Sequence, residues 1–322
     1  MNTCINTAVA LCTLLSASAS AQISRLSVSP ASPEPGAIVR LTLSPAASPS
    51  DSIVSIRGAL AGEPLHFIAS PAGAWHALGA VPVDAEGSLV ASVILSRASG
   101  KVETVRARLT LPKLPPPVAT TLAVDSSFTR PLDSATAARV ARENLRARAV
   151  GTRAHDSPPM WTSSFRRPRA SVITSEFGSG RLFNGHMTSR HLGVDFRGAA
   201  GQPVNAANRG VVALVDKFFL AGNVVYIDHG AGVVTGYFHL SKTLVAVGDT
   251  VERGQQIGLV GATGRVTGPH LHWTARYGTI TVNPLDLVSL DGKWYAAPRR
   301  AGVSSSGSKA PPLLPPLLPP KP

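Results

Sequence analysis

The sequence is poor in cysteine, in acidic side chains and in long apolar runs. Both cysteines, Cys4 and Cys12, lie close to the N-terminus. If that region is removed, the remaining chain has no thiol, which excludes disulfides and zinc–cysteine clusters. A metal in the rest of the chain would then be bound by histidine, aspartate or glutamate. Beyond the N-terminal region no stretch approaches the roughly 20 apolar residues that span a bilayer, so we expect no transmembrane segment.

Acidic residues are scarce relative to basic ones. The chain has 18 Asp and Glu against 31 Lys and Arg, which gives a formal net charge of +13. Such a charge favours an anionic partner, whether nucleic acid, a membrane surface or an acidic polymer. No base-reading motif is present, and the N-terminus indicates export. We therefore expect no nucleic-acid partner.

The N-terminus has the pattern of an export signal. An apolar run over residues 8–15 is followed by Ala19-Ser20-Ala21, a small-residue cleavage site. No Lys or Arg precedes the run. The alternatives are a first core element and a lipid anchor on Cys12, which the bulky leucine before it disfavours. We predict a signal peptide over 1–21 and a protein in the periplasm or secreted.

Residues 22–113 predict an antiparallel, Ig-like β-sandwich. The runs IVRLTLS and VETVRARLTL alternate apolar and polar side chains, with Arg106 and Arg108 on the polar side of the second. That period of two is typical of half-buried strands. Proline and glycine interrupt the runs at regular intervals, as expected for a small sandwich.

A connector over 114–165 and a tail over 292–322 complete the predicted organisation. The connector opens with the stiff segment LPKLPPPV, and LDSATAARVARENLRARAV then predicts a helix at about 134–150, capped by Asp133 or Ser134. Its arginines are interpreted as a solvated face. The tail is rich in proline and serine, and this composition predicts disorder.

Residues 166–291 predict a Gly-rich antiparallel β-sheet domain. The segments VVALVDKFF, GNVVYIDHG, GVVTGYFHL and PHLHWTARY are successive strand candidates, and no long helix separates them. The fold class of the whole chain is therefore mainly β, with a helical connector between two β domains.

The segment GPHLHW places His270 and His272 two residues apart. In an extended strand such residues point to the same face, about 6.5 Å apart at Cα. Two imidazoles in this arrangement can share one site, with one bound to a metal and the other beside the reacting water.

A catalytic zinc needs three protein ligands and one open position. The segment RHLGVDF offers His191 and Asp195. On a straight strand these residues would be about 13 Å apart, too far to bind one ion. The chain must therefore bend between them, and Gly193 permits a bend or bulge. We predict His191, Asp195 and His272 as the ligands.

His239, in GYFHL, is the fifth member of the predicted cluster, and we expect Tyr237 to share its face of the strand. A single histidine is more often a core residue than a functional one. Several histidines in one Gly-rich domain argue for a shared site. His229, in IDHG, is assigned to a turn and not to the metal.

Residues 171–287 resemble the lysostaphin-type (LytM-domain) zinc endopeptidases. The family pattern H-x-x-x-D appears as His191 and Asp195, and H-x-H as His270 and His272. The surrounding framework also matches, in GVDF, GQPVNAANRGVV, GNVVYIDHG, YFHL, VGDTVERGQQIGLVGATGRVTGPHLHW and VNPLDL. One difference is that Trp273-Thr274 follows His272, where Phe-Glu is common in the family. This difference leaves the predicted ligands intact and affects at most the wall of the substrate groove.

The resemblance implies a LytM-type catalytic domain that hydrolyses peptide cross-links or stem peptides of bacterial peptidoglycan. It implies that His191, Asp195 and His272 bind one Zn²⁺ per chain and that His239 and His270 are the catalytic histidines. No H-E-x-x-H motif, and so no thermolysin-type glutamate base, is present. An imidazole would therefore take or relay the proton, and the sequence leaves open which of the two does so.

Two other functions compete with this interpretation. A catalytically inactive relative would bind or activate another cell-wall hydrolase, but such relatives usually lack one or more ligands, and this chain keeps them all. A secreted basic protein would instead bind nucleic acid with a steep salt dependence. We expect a monomeric metalloendopeptidase that acts on peptidoglycan.

Overall fold

A computed structural model describes residues 23–48, 50–116, 119–128, 131–185 and 187–290. The predicted signal peptide over 1–21 and the predicted tail over 292–322 lie outside the described residues. Within the described ranges, no helix has the length and apolar character needed to cross a membrane.

The N-terminal part forms two four-stranded antiparallel sheets. Its strands are β1 (Arg25–Ser29), β2 (Ile38–Ser44), β3 (Ile53–Leu60), β4 (Glu63–Pro64), β5 (Ile68–Ala69), β6 (Trp75–Ala80), β7 (Ser88–Arg97) and β8 (Val102–Thr110). The sheet orders are β1-β2-β6-β5 and β4-β3-β7-β8. Leu41 and Leu95 are fully buried in one shared core, while Arg106 and Arg108 are exposed. The predicted sandwich is confirmed.

The connector contains a short strand, β9 (Ala119–Leu122), and the helix α1 (Ser134–Arg153). Asp133 caps the helix by accepting a hydrogen bond of 2.7 Å from the Thr136 amide. Ala147 and Val150 pack against the C-terminal domain, and most of the arginines of the helix are exposed. The helix extends slightly beyond the predicted end because this apolar contact continues into its last turn.

The C-terminal part is built on an eight-stranded sheet. Its elements are β10 (Ile173–Ser175), β11 (Gly180–Phe183), β12 (Met187–Arg190), β13 (Val194–Arg197), β14 (Pro203–Asn205), β15 (Gly210–Phe218), β16 (Gly222–Gly230), β17 (Val233–Leu240), β18 (Lys242–Thr243), β19 (Thr250–Val251), β20 (Gln256–Leu259), β21 (His270–Tyr277), β22 (Ile280–Val282) and α2 (Pro284–Ser289). The large sheet has the order β10-β13-β21-β17-β16-β15-β19, with β22 beside β21. The predicted Gly-rich antiparallel sheet is confirmed, and so is the mainly β class.

The alternation of side chains along β21 separates the core from the site. Trp273 is fully buried and lies opposite Tyr237 of β17, on the core face. His272 lies opposite Phe238, and their rings stack at 5.2 Å between centroids. Because neighbouring residues of a strand point to opposite faces, burial of the tryptophan fixes which face of the sheet carries the histidine.

Hydrogen bonds to the sandwich hold the C-terminal end of β21 in place. The Tyr277 hydroxyl donates to the Pro64 carbonyl at 2.7 Å, and the Thr279 amide donates to Glu63 Oε1 at 2.8 Å. Glu63 Oε2 lies 2.9 Å from His155 Nε2, just beyond α1. The sandwich, the connector and the histidine-bearing strand therefore meet at one buried polar junction.

Candidate metal centre

Two adjacent antiparallel strands, β13 and β21, bring the predicted ligands together. Asp195 lies directly opposite His272 in their register. His191 precedes β13, and the chain bends at Gly193 before the strand begins. The sequence-predicted bend is therefore present, and it brings the His191 side chain back to Asp195.

Three side-chain atoms converge at this point. His191 Nε2 lies 3.1 Å from Asp195 Oδ1 and 2.9 Å from His272 Nδ1. His272 Nδ1 lies 2.8 Å from the same carboxylate oxygen. Two imidazole nitrogens and one carboxylate oxygen form a donor set that suits a divalent cation such as zinc. His191 and Asp195 are 2% and 6% exposed, so the protein shields this set from bulk water.

The tautomer of His191 is fixed by its surroundings. Its Nδ1 lies 2.9 Å from the Glu176 carbonyl oxygen. A carbonyl only accepts, so Nδ1 carries the proton and Nε2 presents its lone pair to the cluster. A hydrogen bond from the distal nitrogen to a carbonyl is the usual support for a metal-binding histidine.

Gly193 is required for a steric reason. A Cβ at this position would lie 2.6 Å and 2.7 Å from atoms of the His272 ring and 2.7 Å from the Trp273 carbonyl oxygen. These separations are well below van der Waals contact. The glycine thus allows the close approach of β21 as well as the bend.

We expect Gly193→Ala to weaken metal binding because the added methyl group displaces the His272 ring. Competition with a chromophoric chelator should show a loss of zinc affinity of about tenfold or more. Gly201→Ala is the matched control, since a Cβ at that position meets no atom within 4 Å. Its left-handed backbone, with φ of 86°, is expected to lower stability without lowering zinc affinity. Unchanged zinc affinity in Gly193→Ala would contradict this account.

His270 lies beside the cluster on the same face of β21. Its Nδ1 is 2.8 Å from the Gly268 carbonyl oxygen, so Nδ1 donates and Nε2 is left as an acceptor. Nε2 lies 3.7 Å from Asp195 Oδ1, at the edge of the ligand set. This ring therefore has a basic nitrogen next to the cluster and is partly exposed.

The expectation that Tyr237 shares a face with His239 is wrong. Tyr237 is fully buried on the core side, where its hydroxyl accepts from the Ala207 amide. His239 has a left-handed backbone with φ of 61°, which interrupts the alternation of the strand. Its ring therefore lies on the site face, 5.0 Å from that of His270 and 5.8 Å from that of His272.

A backbone carbonyl orients the His239 ring, as one does for His270. Its Nδ1 lies 2.8 Å from the Thr263 carbonyl oxygen and so donates to it. Its Nε2 is consequently an acceptor, as in His270. A non-glycine residue held at positive φ costs about 1–3 kcal/mol. Strained backbone conformations of this kind cluster at catalytic and ligand-binding positions.

Burial sets the protonation states in the cluster. Burial alone would raise the pKa of Asp195, but the adjacent His191 and His272 rings outweigh it and hold that pKa below its ordinary range. Burial lowers the pKa of His272 to about 4, although Asp195 opposes the shift. Burial, followed by His272 and His270, holds the pKa of His239 well below its usual value. At neutral pH the carboxylate is ionised and these rings are neutral, the states that metal binding requires.

The assignment of His229 to a turn is wrong. It lies inside β16 and is fully buried, with Nδ1 2.8 Å from the Arg209 carbonyl oxygen and Nε2 2.8 Å from Thr235 Oγ1. The turn begins only after the strand. As predicted from sequence, this histidine is not part of the metal cluster.

His229 makes stability depend on pH. Burial lowers its pKa to about 4, below the ordinary 6.5 of an unfolded histidine. Between these values the unfolded chain binds the extra proton, so its stabilising contribution is complete above pH 6.5 and is lost as pH falls towards 4. Between pH 7 and pH 4.5, urea unfolding should show a loss of stability from this group of roughly 2.5 kcal/mol. In His229→Gln the decrease in the free energy of unfolding between the two pH values should be smaller by that amount. An equal decrease in both proteins would contradict the role given to His229.

Two parts of the site have no signal in the sequence. The Arg181 guanidinium contacts the outer oxygen of Asp195, although GSGRLF matches no metal-site pattern. Helix α1 contributes Val140 and Asn144 to a cavity of about 170 Å³ that His272 also lines. Thr274 lines this cavity too, whereas Trp273 faces the core. The Trp-Thr difference noted in the sequence therefore affects the site face through Thr274.

Comparison with known proteins gives one family and several partial relatives. Residues 189–284 match peptidase family M23. The peptidoglycan DD-endopeptidase ShyA of Vibrio cholerae is 49% identical over 104 residues, which cover 31% of this chain and 24% of ShyA. The DD-carboxypeptidase/endopeptidase Mpg of Neisseria meningitidis serogroup B is 39% identical over 142 residues, which cover 44% of this chain and 33% of Mpg.

The alignments thus span a quarter to a third of these curated relatives. Among solved structures, a putative peptidase M23 from Pseudomonas aeruginosa superposes with a TM-score of 0.59 and 27% identity, covering 80% of this chain and 95% of that one. Because this coverage exceeds the length of the family match, the similarity in fold extends beyond 189–284.

Proposed function

Residues 189–284 belong to peptidase family M23, and from this premise we propose that the chain is a zinc-dependent endopeptidase that hydrolyses peptide cross-links or stem peptides of bacterial peptidoglycan. The observation that carries the proposal is the convergence of His191, Asp195 and His272 within 3.1 Å of one another, with His239 and His270 beside them. The peptidoglycan substrate is taken from the names of the relatives.

The residues present fit a zinc ion. His191 Nε2 has its lone pair directed inwards, Asp195 is ionised, and His272 is held neutral by burial. Gly193 leaves room for the His272 ring where a side chain would collide with it. These three side chains would hold the ion. When bound, Zn²⁺ supplies Lewis-acid chemistry, polarising a carbonyl and lowering the pKa of water towards about 7.

The other two histidines have the protonation state of general bases. Nε2 of His270 and of His239 is unprotonated, because Nδ1 of each ring donates to a backbone carbonyl. Either nitrogen can accept a proton from the attacking water, and the resulting imidazolium can return it to the leaving amine or donate to the developing oxyanion. Two rings 5.0 Å apart allow one to act as base while the other stabilises charge.

The remaining features agree with an extracytoplasmic polymer substrate. The net charge of +13 attracts an anionic wall polymer. We propose that the protein is exported after cleavage near residue 21, acts as a monomer in the periplasm or outside the cell, and consists of a sandwich to 113, a connector to 165 and a catalytic domain to 291.

The test is digestion of purified peptidoglycan followed by mass spectrometry of the products. We expect new amino termini at a cross-link or stem peptide, no products after chelation, and recovery when Zn²⁺ is restored. The products also identify the bond that is cut.

Intact sacculi of several cross-link chemistries should be included, since wall chemistry differs between bacteria. Stoichiometric zinc with no cleavage of any of them would favour the alternative, an inactive LytM-type protein that binds or activates another hydrolase. Failure to bind zinc at all would overturn the proposed zinc endopeptidase and would also leave the inactive relative as the better interpretation.

A further inference from the structure

The two carboxylate oxygens of Asp195 have different partners. Oδ1 lies 3.1 Å from His191 Nε2 and 2.8 Å from His272 Nδ1, within the ligand cluster. Oδ2 faces away and accepts a hydrogen bond of 2.5 Å from Arg181 Nη2. Asp195 and the Arg181 side chain are both largely buried, so this pair is well shielded from solvent.

We propose that Arg181 is a positioning residue for the metal site, which holds Oδ2 of Asp195 so that only Oδ1 is presented to the cation. The inference rests on the proposed zinc function and adds a residue outside the 189–284 family match. In the described part of the chain, Arg181 makes no hydrogen bond to the proposed catalytic nitrogens, and among the five site residues its hydrogen bond is to Asp195.

A fixed carboxylate matters because the group can rotate about its Cβ–Cγ bond. An unrestrained carboxylate can present both oxygens to one cation, which adds a ligand and fills the position that a catalytic site leaves open. An ion pair with a guanidinium is short and directional, so it resists this rotation. Arg181 would therefore keep Asp195 a single-oxygen ligand.

The same guanidinium links Asp195 to the support of His191. Arg181 Nη2 also lies 3.1 Å from Ser175 Oγ, and this hydroxyl lies 3.0 Å from His191 Nδ1. Two of the three proposed ligands thus share one hydrogen-bonded network. Partners of this kind, one contact removed from the ion, typically affect metal affinity by about 10–100-fold.

The connector helps to hold Arg181 in place. Arg181 is paired with Thr120 of β9 on one side and with Ser189 of β12 on the other. The side-chain amide of Asn184 makes two further hydrogen bonds to the Val124 backbone, of 3.0 Å and 2.9 Å. The strand that carries the arginine is therefore central in its small sheet, and its register is fixed from both edges.

A simple charge effect predicts the opposite result. A guanidinium next to the ligand cluster repels a divalent cation, so its removal should tighten binding if charge alone mattered. Positioning predicts that its removal weakens binding. The sign of the change in zinc affinity therefore separates the two explanations.

The experiment measures zinc affinity by competition with a chromophoric chelator, with no substrate present. We expect Arg181→Gln to weaken zinc binding by about 10–100-fold. Arg181→Lys, which keeps the charge but loses the planar fork, should fall between that variant and the wild type. Circular dichroism of the metal-free proteins shows whether each variant is folded, and the lysine variant decides the question if the glutamine variant is not.

Arg265→Gln is the matched control. Arg265 lies near Arg181 and packs on the Phe183 ring with its Cζ 4.1 Å from the centroid, and no hydrogen bond joins it to Asp195 among the described contacts. Its removal deletes one nearby positive charge without touching the carboxylate. We expect zinc affinity in this variant to be unchanged or slightly higher.

Cobalt substitution provides a second readout. If Asp195 turns to bind through both oxygens, the coordination number rises, and the visible absorption of bound Co²⁺ should weaken in Arg181→Gln relative to the wild type. Unchanged or tighter zinc binding in both Arg181 variants would overturn the inference while leaving the proposed function intact. Absence of zinc binding in the wild type would overturn both.

Discussion

Replacing His272 by alanine is expected to abolish zinc binding and peptidoglycan hydrolysis together. His272 Nδ1 lies within 2.9 Å of both His191 Nε2 and Asp195 Oδ1, so it closes the three-sided donor set. Without it two ligands remain, and structural or catalytic zinc sites use three or more. Equilibrium dialysis with elemental analysis should show less than stoichiometric zinc, and release of soluble fragments from sacculi should fall to background.

The control for this variant is His76→Ala. His76 lies on β6 of the sandwich, outside the site. We expect it to retain stoichiometric zinc and full hydrolysis. A His272→Ala protein that stays folded, binds zinc with wild-type affinity and still cleaves peptidoglycan would contradict the assignment of the ligands.

The second large effect is expected from the two histidines outside the ligand set. His270→Ala and His239→Asn should keep zinc binding but lower kcat by about 10²–10⁴-fold, the range for loss of a general acid or base. Asparagine is chosen at 239 because it tolerates the left-handed backbone found there, with φ of 61°. Initial rates on a soluble cross-linked peptide, with metal content measured on the same samples, test this separation.

The pH dependence of kcat in the two variants identifies the base. In the wild type, kcat should fall at low pH because the general base becomes protonated. The variant that lacks the base should no longer show this fall. If either variant loses zinc in parallel with activity, that histidine acts as a ligand and its assignment here is wrong. If both keep wild-type kcat, the proposed imidazole mechanism fails.

Local sequence patterns were sufficient to predict the fold class and the three side chains that converge in the proposed metal site. Period-two alternation identified strands of the N-terminal sandwich, because successive side chains of a strand point to opposite faces of its sheet. The spacing of His191 and Asp195 required a bend at Gly193, since a straight strand could not join them, and the bend is present. These are consequences of geometry over a few residues.

Patterns of this kind failed where a neighbour distant in sequence or an unusual backbone angle intervened. Alternation placed His239 with Tyr237, but the positive φ of His239 turns its ring to the face of Phe238. The segment IDHG indicated a turn, but pairing of Gly230 with Val233 of β17 extends β16 past His229.

From composition and short-range spacing alone, the chain's sequence predicted the β class, the export-signal pattern and the ligand set of His191, Asp195 and His272. The roles of His239 and His270 were implied by the resemblance to the LytM family. The tertiary structure was needed for the protonated nitrogens of His191 and His239, for the ion pair between Arg181 and Asp195, and for the contribution of α1 to the wall beside His272. Those features arise from contacts between residues that lie 14 or more positions apart in the chain. Such contacts follow from how the strands pair and pack, and no local pattern encodes them.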